Sequence, residues 1–161
     1  MENTPINFFI SYAHEDKEYK DTLLKFLKPQ VRNKSIAVWT DDGIIAGMEW
    51  DDEIKTGLQK SDVVLFLISA DFLASDYIND VEIKKTLEAA KNKEKVIVPV
   101  LLRDCDLNSQ IIDDDPTTKL SRYQGLPSNF KPINEWEFRD KAWMSVIDGL
   151  KSLVIYLKTK K

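Results

Sequence analysis

Six consecutive apolar residues, Val63-Val64-Leu65-Phe66-Leu67-Ile68, constrain this chain more than any other feature of it. A strand with one wet face alternates apolar and polar side chains. A run without alternation is buried on both faces, as in a parallel sheet covered by helices. Three further segments read as strands around this one: Asn7 to Ser11, Ser35 to Thr40, and Lys95 to Leu102. Pro99 lies inside the last of them and cannot donate to a ladder, which places that strand near a sheet edge.

Helical periodicity fills the intervals. Tyr19, Leu23, Phe26 and Leu27 share one face of a helix expected over Glu15 to Leu27, with Pro29 helping to end it. Trp50, Ile54 and Leu58 mark a second helix, Glu49 to Gln59. A third helical region spans Asp71 to Lys91, broken near Tyr77. Trp143, Val146, Ile147, Leu150, Val154 and Leu157 line one face of a last helix, Lys141 to Leu157. Arg103 to Asn129 is acidic and turn-rich, with little pattern. Strands alternating with helices predict the α/β class: a flavodoxin-like open parallel sheet of about five strands, helices on both faces and right-handed crossovers. Residues 1–157 form the expected domain, and Lys158 to Lys161 reads as a frayed tail or a truncated linker to a sensor domain beyond the C-terminus.

Composition removes several function classes. A chain of 161 residues, 43% hydrophobic and 31% charged, fits one folded domain. No apolar stretch approaches the roughly 20 residues of a membrane span, so no membrane partner is expected. Met1 to Pro5 carries an acid and no apolar core of a secretory signal, which makes the cytoplasm the expected location. Cys105 is the only cysteine and His14 the only histidine, so neither an intramolecular disulfide nor a structural zinc site can be built. A formal net charge of −4 argues against a nucleic-acid partner, which calls for a basic excess.

In open parallel sheets, ligands bind beyond the carboxyl ends of the strands. Here those ends are Ser11-Tyr12-Ala13, Trp39-Thr40-Asp41-Asp42, Ser69-Ala70-Asp71 and Leu102-Arg103. No Gly-x-Gly-x-x-Gly follows the first strand and no Walker phosphate loop occurs, so redox use of NAD and nucleoside triphosphate hydrolysis lack their signatures. A phosphoacceptor receiver needs acids after the first strand and an aspartate ending the middle one; this chain has Ser11-Tyr12 and Ser69 there.

Several blocks at these positions resemble Toll/interleukin-1 receptor (TIR) domains of the bacterial, NAD-cleaving kind. Phe9-Ile10-Ser11-Tyr12-Ala13-His14-Glu15-Asp16 resembles the family's opening box. Val38-Trp39-Thr40-Asp41 and Gly47-Met48-Glu49-Trp50 resemble its second strand and BB loop, and Ser61 to Ser69 its central strand. Phe72 to Tyr77, then Val81-Glu82-Ile83, resembles the segment that carries the catalytic glutamate. Gly125-Leu126-Pro127 and Trp136 to Trp143 resemble the end of bacterial members. The blocks run in family order over nearly the whole chain. Two departures stand out: Tyr77 precedes Glu82 by five residues where many members place a tryptophan four before, and Ile78 stands where a cysteine is common.

The resemblance implies an NAD+ glycohydrolase that yields nicotinamide and ADP-ribose or a cyclic ADP-ribose, acting in bacterial anti-phage immunity, with NAD+ as substrate and no cofactor or metal. The chemistry suits one carboxylate. Nicotinamide leaves as a neutral pyridine, so no general acid is needed; the positive charge developing on the ribose is what requires stabilisation. Taken alone, Glu82 beside Lys85 reads as a solvated helix residue, and its place in the family segment makes it the catalytic candidate. The substrate-binding candidates are Ser11, Tyr12, Asp42, Ile44, Trp50, Ser69 and Tyr77. Ser75 reads equally as a helix cap, Trp39 as core, and His14 as solvent-facing. The loop Asp41 to Gly47 places Ile44 and Ile45 between glycines and is expected to serve both as a lid over the ligand and in self-association. The alternative from another class is a non-enzymatic module that signals through TIR–TIR contacts.

Overall fold

A strand without a polar face needs cover on both sides, and the sheet is built around that need. The computed structural model describes residues 4–40, 57, 59–75, 95–106 and 125–160. Among them the elements are β1 (Ile6–Ser11), α1 (Lys17–Arg32), β2 (Ile36–Thr40), β3 (Val63–Ile68), α2 (Ala70–Ala74), β4 (Val96–Leu101) and α3 (Arg139–Lys160). The strands form a four-stranded sheet in the order β2-β1-β3-β4. Every pairing is parallel, with Phe8 opposite Val63, and Val63 opposite Val96, fixing the register. All six residues of β3 are buried. The class and the central place of β3 are therefore as the sequence indicates, and the fold is the flavodoxin-like α/β arrangement.

Of the roughly five strands expected, four are described, and beside β4 the described chain makes a single bridge, between Leu126 and Val100. Leu126 N–H donates to the Pro99 carbonyl at 2.8 Å, and Leu101 N–H donates to the Leu126 carbonyl at 2.9 Å. In a parallel ladder the N–H and C=O of one residue point the same way. The position of Pro99 that lacks an N–H therefore faces outward, away from β3, and its ring costs the sheet no bond.

One face of the sheet packs on α1 and α3. Ile6, Phe8 and Ile10 of β1 join Leu65 and Leu67 of β3, Leu23 and Leu27 of α1, and Trp143, Val146, Ile147, Leu150 and Val154 of α3 in one cluster. The Phe26 and Trp143 rings stack at 6.4 Å between centroids, tying the two helices together. The other face presents Phe9, Val64, Phe66 and Ile68, all buried. There Phe72 of α2 sets its ring 5.6 Å from that of Phe66. A Cβ on Gly57 would stand 2.7 Å from the Phe9 ring, so the helical segment at that position approaches closer than any side chain permits.

Three local expectations need correction. Pro29 does not end the first helix, which runs on to Arg32. A proline in the last turn removes one backbone bond, while Asn33 N–H still reaches the Pro29 carbonyl at 3.1 Å. The stop comes from Lys34 at φ 64, with Ser35 N–H bonded to the Gln30 carbonyl and Lys34 N–H to that of Val31. This is a Schellman closure with lysine in the usual glycine place. Trp39 is not core: it is 40% exposed. It lies near the end of the edge strand β2, where Lys60 Nζ sits 5.3 Å from its ring. Lys158 to Lys160, read as frayed, continue α3. The helix expected over Glu49 to Gln59, apart from Gly57 and Gln59, and most of Asp71 to Lys91 lie outside the described residues.

Candidate functional site

A parallel sheet sends every strand out at the same end, so the segments after β1, β3 and β4 leave it side by side. Ser11 closes β1 and is fully buried. It belongs to the odd-numbered set of β1 with Phe9, on the face that α2 helps cover. Its hydroxyl has no hydrogen-bond partner among the described residues. Tyr12, 5% exposed, packs instead in the cluster on the α1 and α3 side. Lys20 Nζ stands 5.3 Å from the Tyr12 ring centroid. The two adjacent candidates are thus directed to opposite faces of the sheet, as neighbours along a strand must be.

Ser69, just past β3, is also fully buried. Its oxygen accepts from Phe72 N–H at 3.1 Å and so caps α2. Its hydroxyl proton goes to Asp16 Oδ2. Asp16 lies in the turn after β1 and is 1% exposed. A buried carboxylate requires compensation, and Arg103, just past β4, supplies it: its Nη2 donates to Asp16 Oδ1 at 2.7 Å. The same nitrogen donates to Asp71 Oδ2, also at 2.7 Å. The bond to Asp71, then that to Asp16, holds the Arg103 guanidinium above its ordinary value, against the opposing effect of burial. At this corner two carboxylates share one cation, and the hydroxyl of Ser69 is committed to the fold.

Asp16 and Arg103 were not among the sequence-based site candidates. Asp16 ended the opening block and Arg103 ended a strand, and their separation of 87 residues hides the pair from any local pattern. Asp42, Ile44, Trp50, Tyr77 and Glu82, with the whole loop Asp41 to Gly47, lie outside the described residues. His14 is exposed on its short turn, as read. Ser75 follows α2 as its C-terminal boundary. Among the described residues, no three His, Cys, Asp or Glu side chains gather as a metal cage. No helix there is long and apolar enough to cross a membrane.

Comparisons with known proteins bear on this arrangement. A family model described as TIR domain matches residues 8–142. The uncharacterized protein y4lF of Sinorhizobium fredii is 34% identical over 143 residues, which are 89% of this chain and 42% of that protein. The match thus spans less than half of that relative's length. The fold is similar to the crystal structure of the TIR domain of the Toll-related receptor TRR-2 from Hydra magnipapillata. The TM-score is 0.56 at 19% identity, covering 89% of this chain and 97% of that one, a likeness of fold.

Proposed function

The chain belongs to the TIR domain family, and from that premise we propose that it hydrolyses NAD+ at the bond between ribose and nicotinamide, with Glu82 as the catalytic carboxylate. The observation that carries this reading is the segment Phe72 to Ile83, in which Glu82 follows Tyr77 at nearly the family spacing. The described start of that segment, α2, leaves the sheet at the carboxyl end of β3. This is the end where open parallel sheets bind ligands.

The chemistry asks little of the protein beyond placement and charge. The C–N bond breaks with its electron pair going to nicotinamide, which departs neutral. Positive charge spreads over the ribose C1′ and ring oxygen, and a carboxylate beside the sugar stabilises it. Water then adds to C1′ and loses a proton, giving ADP-ribose; attack by an adenine nitrogen of the same molecule gives the cyclic product instead. Tyr77, Ile44 and Trp50 are the side chains proposed to stack on nicotinamide and exclude water. Ser11 and Asp42 complete the proposed binding set, while Ser69, held by Asp16 and Phe72 N–H, and Tyr12, packed in the core cluster, serve the fold instead. An enzyme of this kind depletes the dinucleotide, which fits a role as an effector in bacterial antiviral defence.

The test is to incubate concentrated protein with NAD+ and follow nicotinamide. Glu82→Gln keeps the size of the side chain and removes its charge. The expected result is a fall in turnover to background with an unchanged circular dichroism spectrum. Wild-type turnover in a folded Glu82→Gln protein would overturn the assignment of Glu82. Wild-type protein that releases no nicotinamide would favour the alternative, a module that works through TIR–TIR contacts alone.

A further inference from the structure

Three cations share one outward stripe of α1. Lys25, Lys28 and Arg32 stand at i, i+3 and i+7, and all are exposed. With Leu24 and Pro29 they line a shallow, open depression of about 480 Å³. None of the three is in an ion pair among the described residues. Asp21, one turn before Lys25, is held instead by Lys17 at 3.2 Å and Lys20 at 2.8 Å. A positive side chain in the last turn complements the helix dipole, which accounts for Arg32. It does not account for Lys25, two turns earlier, and like charges three and four residues apart destabilise a helix. On a chain with 27 Asp and Glu against 23 Lys and Arg, this local surplus works against the fold and fits an anion from outside.

The stripe lies at the amino end of the sheet. α1 follows the carboxyl end of β1 and runs back to the start of β2. α3 runs beside it in the same direction. Arg139, at its start, sits 5.8 Å from the Tyr19 ring, and Lys151 and Val154 border the same small pit as Leu27 and Gln30. The last turns of α3 therefore reach the same end, carrying exposed Lys151, Lys158 and Lys160. Among these cations Ile155 is 66% exposed and Tyr156 56%. Asp148 borders this surface one turn before Lys151.

Cations and exposed apolar side chains on one surface fit an anionic lipid leaflet. The cations meet the headgroups, and the isoleucine and the tyrosine ring enter the interface, where such side chains settle. A nucleic-acid backbone would use the cations and leave Ile155 without a contact. The overall charge of −4 is no obstacle. α1 has 16 residues and is roughly 24 Å long, whereas charge is screened beyond about 8 Å at physiological ionic strength. Glu15 and Glu18, at its far end, are thus too distant to repel the leaflet.

We propose that the amino end of the sheet is a docking surface for anionic phospholipid membranes, formed by Lys25, Lys28 and Arg32 of α1 with Ile155 and Tyr156 of α3. A contact of this kind is peripheral and needs no span of roughly 20 apolar residues. It turns the carboxyl end of the sheet, the end where open parallel sheets bind ligands, toward solvent. It does not depend on the reading of Glu82.

The test is co-sedimentation of the full chain with vesicles, either of phosphatidylcholine alone or of equal parts phosphatidylcholine and phosphatidylserine. Binding is expected to the mixed vesicles only, and is expected to fall as salt is raised. Lys25→Glu with Lys28→Glu is expected to weaken it by roughly tenfold or more. Lys131 and Lys141 lie in the segment leading into α3 and in its first turn, at the other end of the sheet. Lys131→Glu with Lys141→Glu changes the net charge equally and is expected to leave binding unchanged. Ile155→Asp is expected to weaken binding several-fold, as loss of an apolar interfacial contact does. All five positions are exposed, so the fold is expected to survive, which circular dichroism checks. Equal binding to the two kinds of vesicle, or equal losses from the two paired variants, would overturn the proposal. So would a wild type that binds a DNA duplex and not the mixed vesicles, which would make the surface one for nucleic acid. Undiminished binding by Ile155→Asp would overturn it too, since cations alone would then suffice for any polyanion.

Discussion

Cys105 shows how one side chain reports on the packing around it. It is a free thiol, half-buried two residues beyond Arg103. Burial pushes its pKa up; Asp104 and Asp106 act in the same direction, and Arg103 opposes them. The thiolate is the reactive form, so a raised pKa protects the folded chain. The expected outcome is slower alkylation by iodoacetamide near neutral pH in the folded protein than in urea. The midpoint of the rate against pH should lie above the roughly 8.5 of an unfolded cysteine. The linkage has a sign. The folded pKa lies above the unfolded one, so this group's contribution to stability is present below the unfolded pKa. It is lost as pH rises through the folded pKa. Equal alkylation rates in buffer and urea would show that Cys105 is not shielded.

Elements are held by contacts that leave different traces in sequence. β3 was legible because a run apolar at every position has one stable environment, and Pro99 marked β4 as an outer strand because a missing donor can face only outward. Trp143 to Val154 gave α3 through their periodicity. Pro29 misled because its position in the last turn, which decides its cost, is fixed by the distant closure at Lys34. Trp39 misled because a large apolar residue on an edge strand is covered only if another element reaches it. The Asp16–Arg103 pair left no trace at all, since it exists only once the sheet brings two strand ends together. The bridge at Leu126 offers an element-scale test. A Cβ on Gly125 would stand 2.8 Å from the Pro99 carbonyl oxygen and 2.7 Å from Phe130 Cδ1. The oxygen is backbone and is held by the bridge, so it cannot give way. Gly125→Ala is expected to destabilise by about 1–3 kcal/mol, as overpacking does. The check is a lower urea midpoint at unchanged slope. A midpoint equal to wild type would mean that the bridge is loose.

At the scale of the whole molecule, the site depends on how many copies come together. At the carboxyl end of the sheet Ser69 is taken up by Asp16, and Arg103 by Asp16 and Asp71. Groups committed to one another in this way leave the second side of a bound ligand to be supplied from elsewhere. In the proposed function the loop Asp41 to Gly47 of a neighbouring copy is expected to supply it, with Ile44 and Ile45 as the apolar residues of that sequence. Closure of this kind excludes water and fixes the ribose, which a half-open cleft does poorly. Contact between two non-identical faces repeats from copy to copy and grows open filaments rather than closed dimers. A formal charge of −4 on each copy adds mild mutual repulsion, so association is expected to be weak and salt-sensitive. Activity per copy is therefore expected to rise steeply with protein concentration and to be nearly absent in dilute solution. Moderate salt, which screens the repulsion, should shift the rise to lower concentration. The measurement is nicotinamide release per copy over about a hundredfold range of protein, wide enough to cross a weak equilibrium. Ile44→Asp should flatten the curve near its dilute limit, because a charge on the contact loop opposes stacking. A specific activity that stays constant across the range would mean that a single copy carries the whole site, and the stacked arrangement would have to be given up.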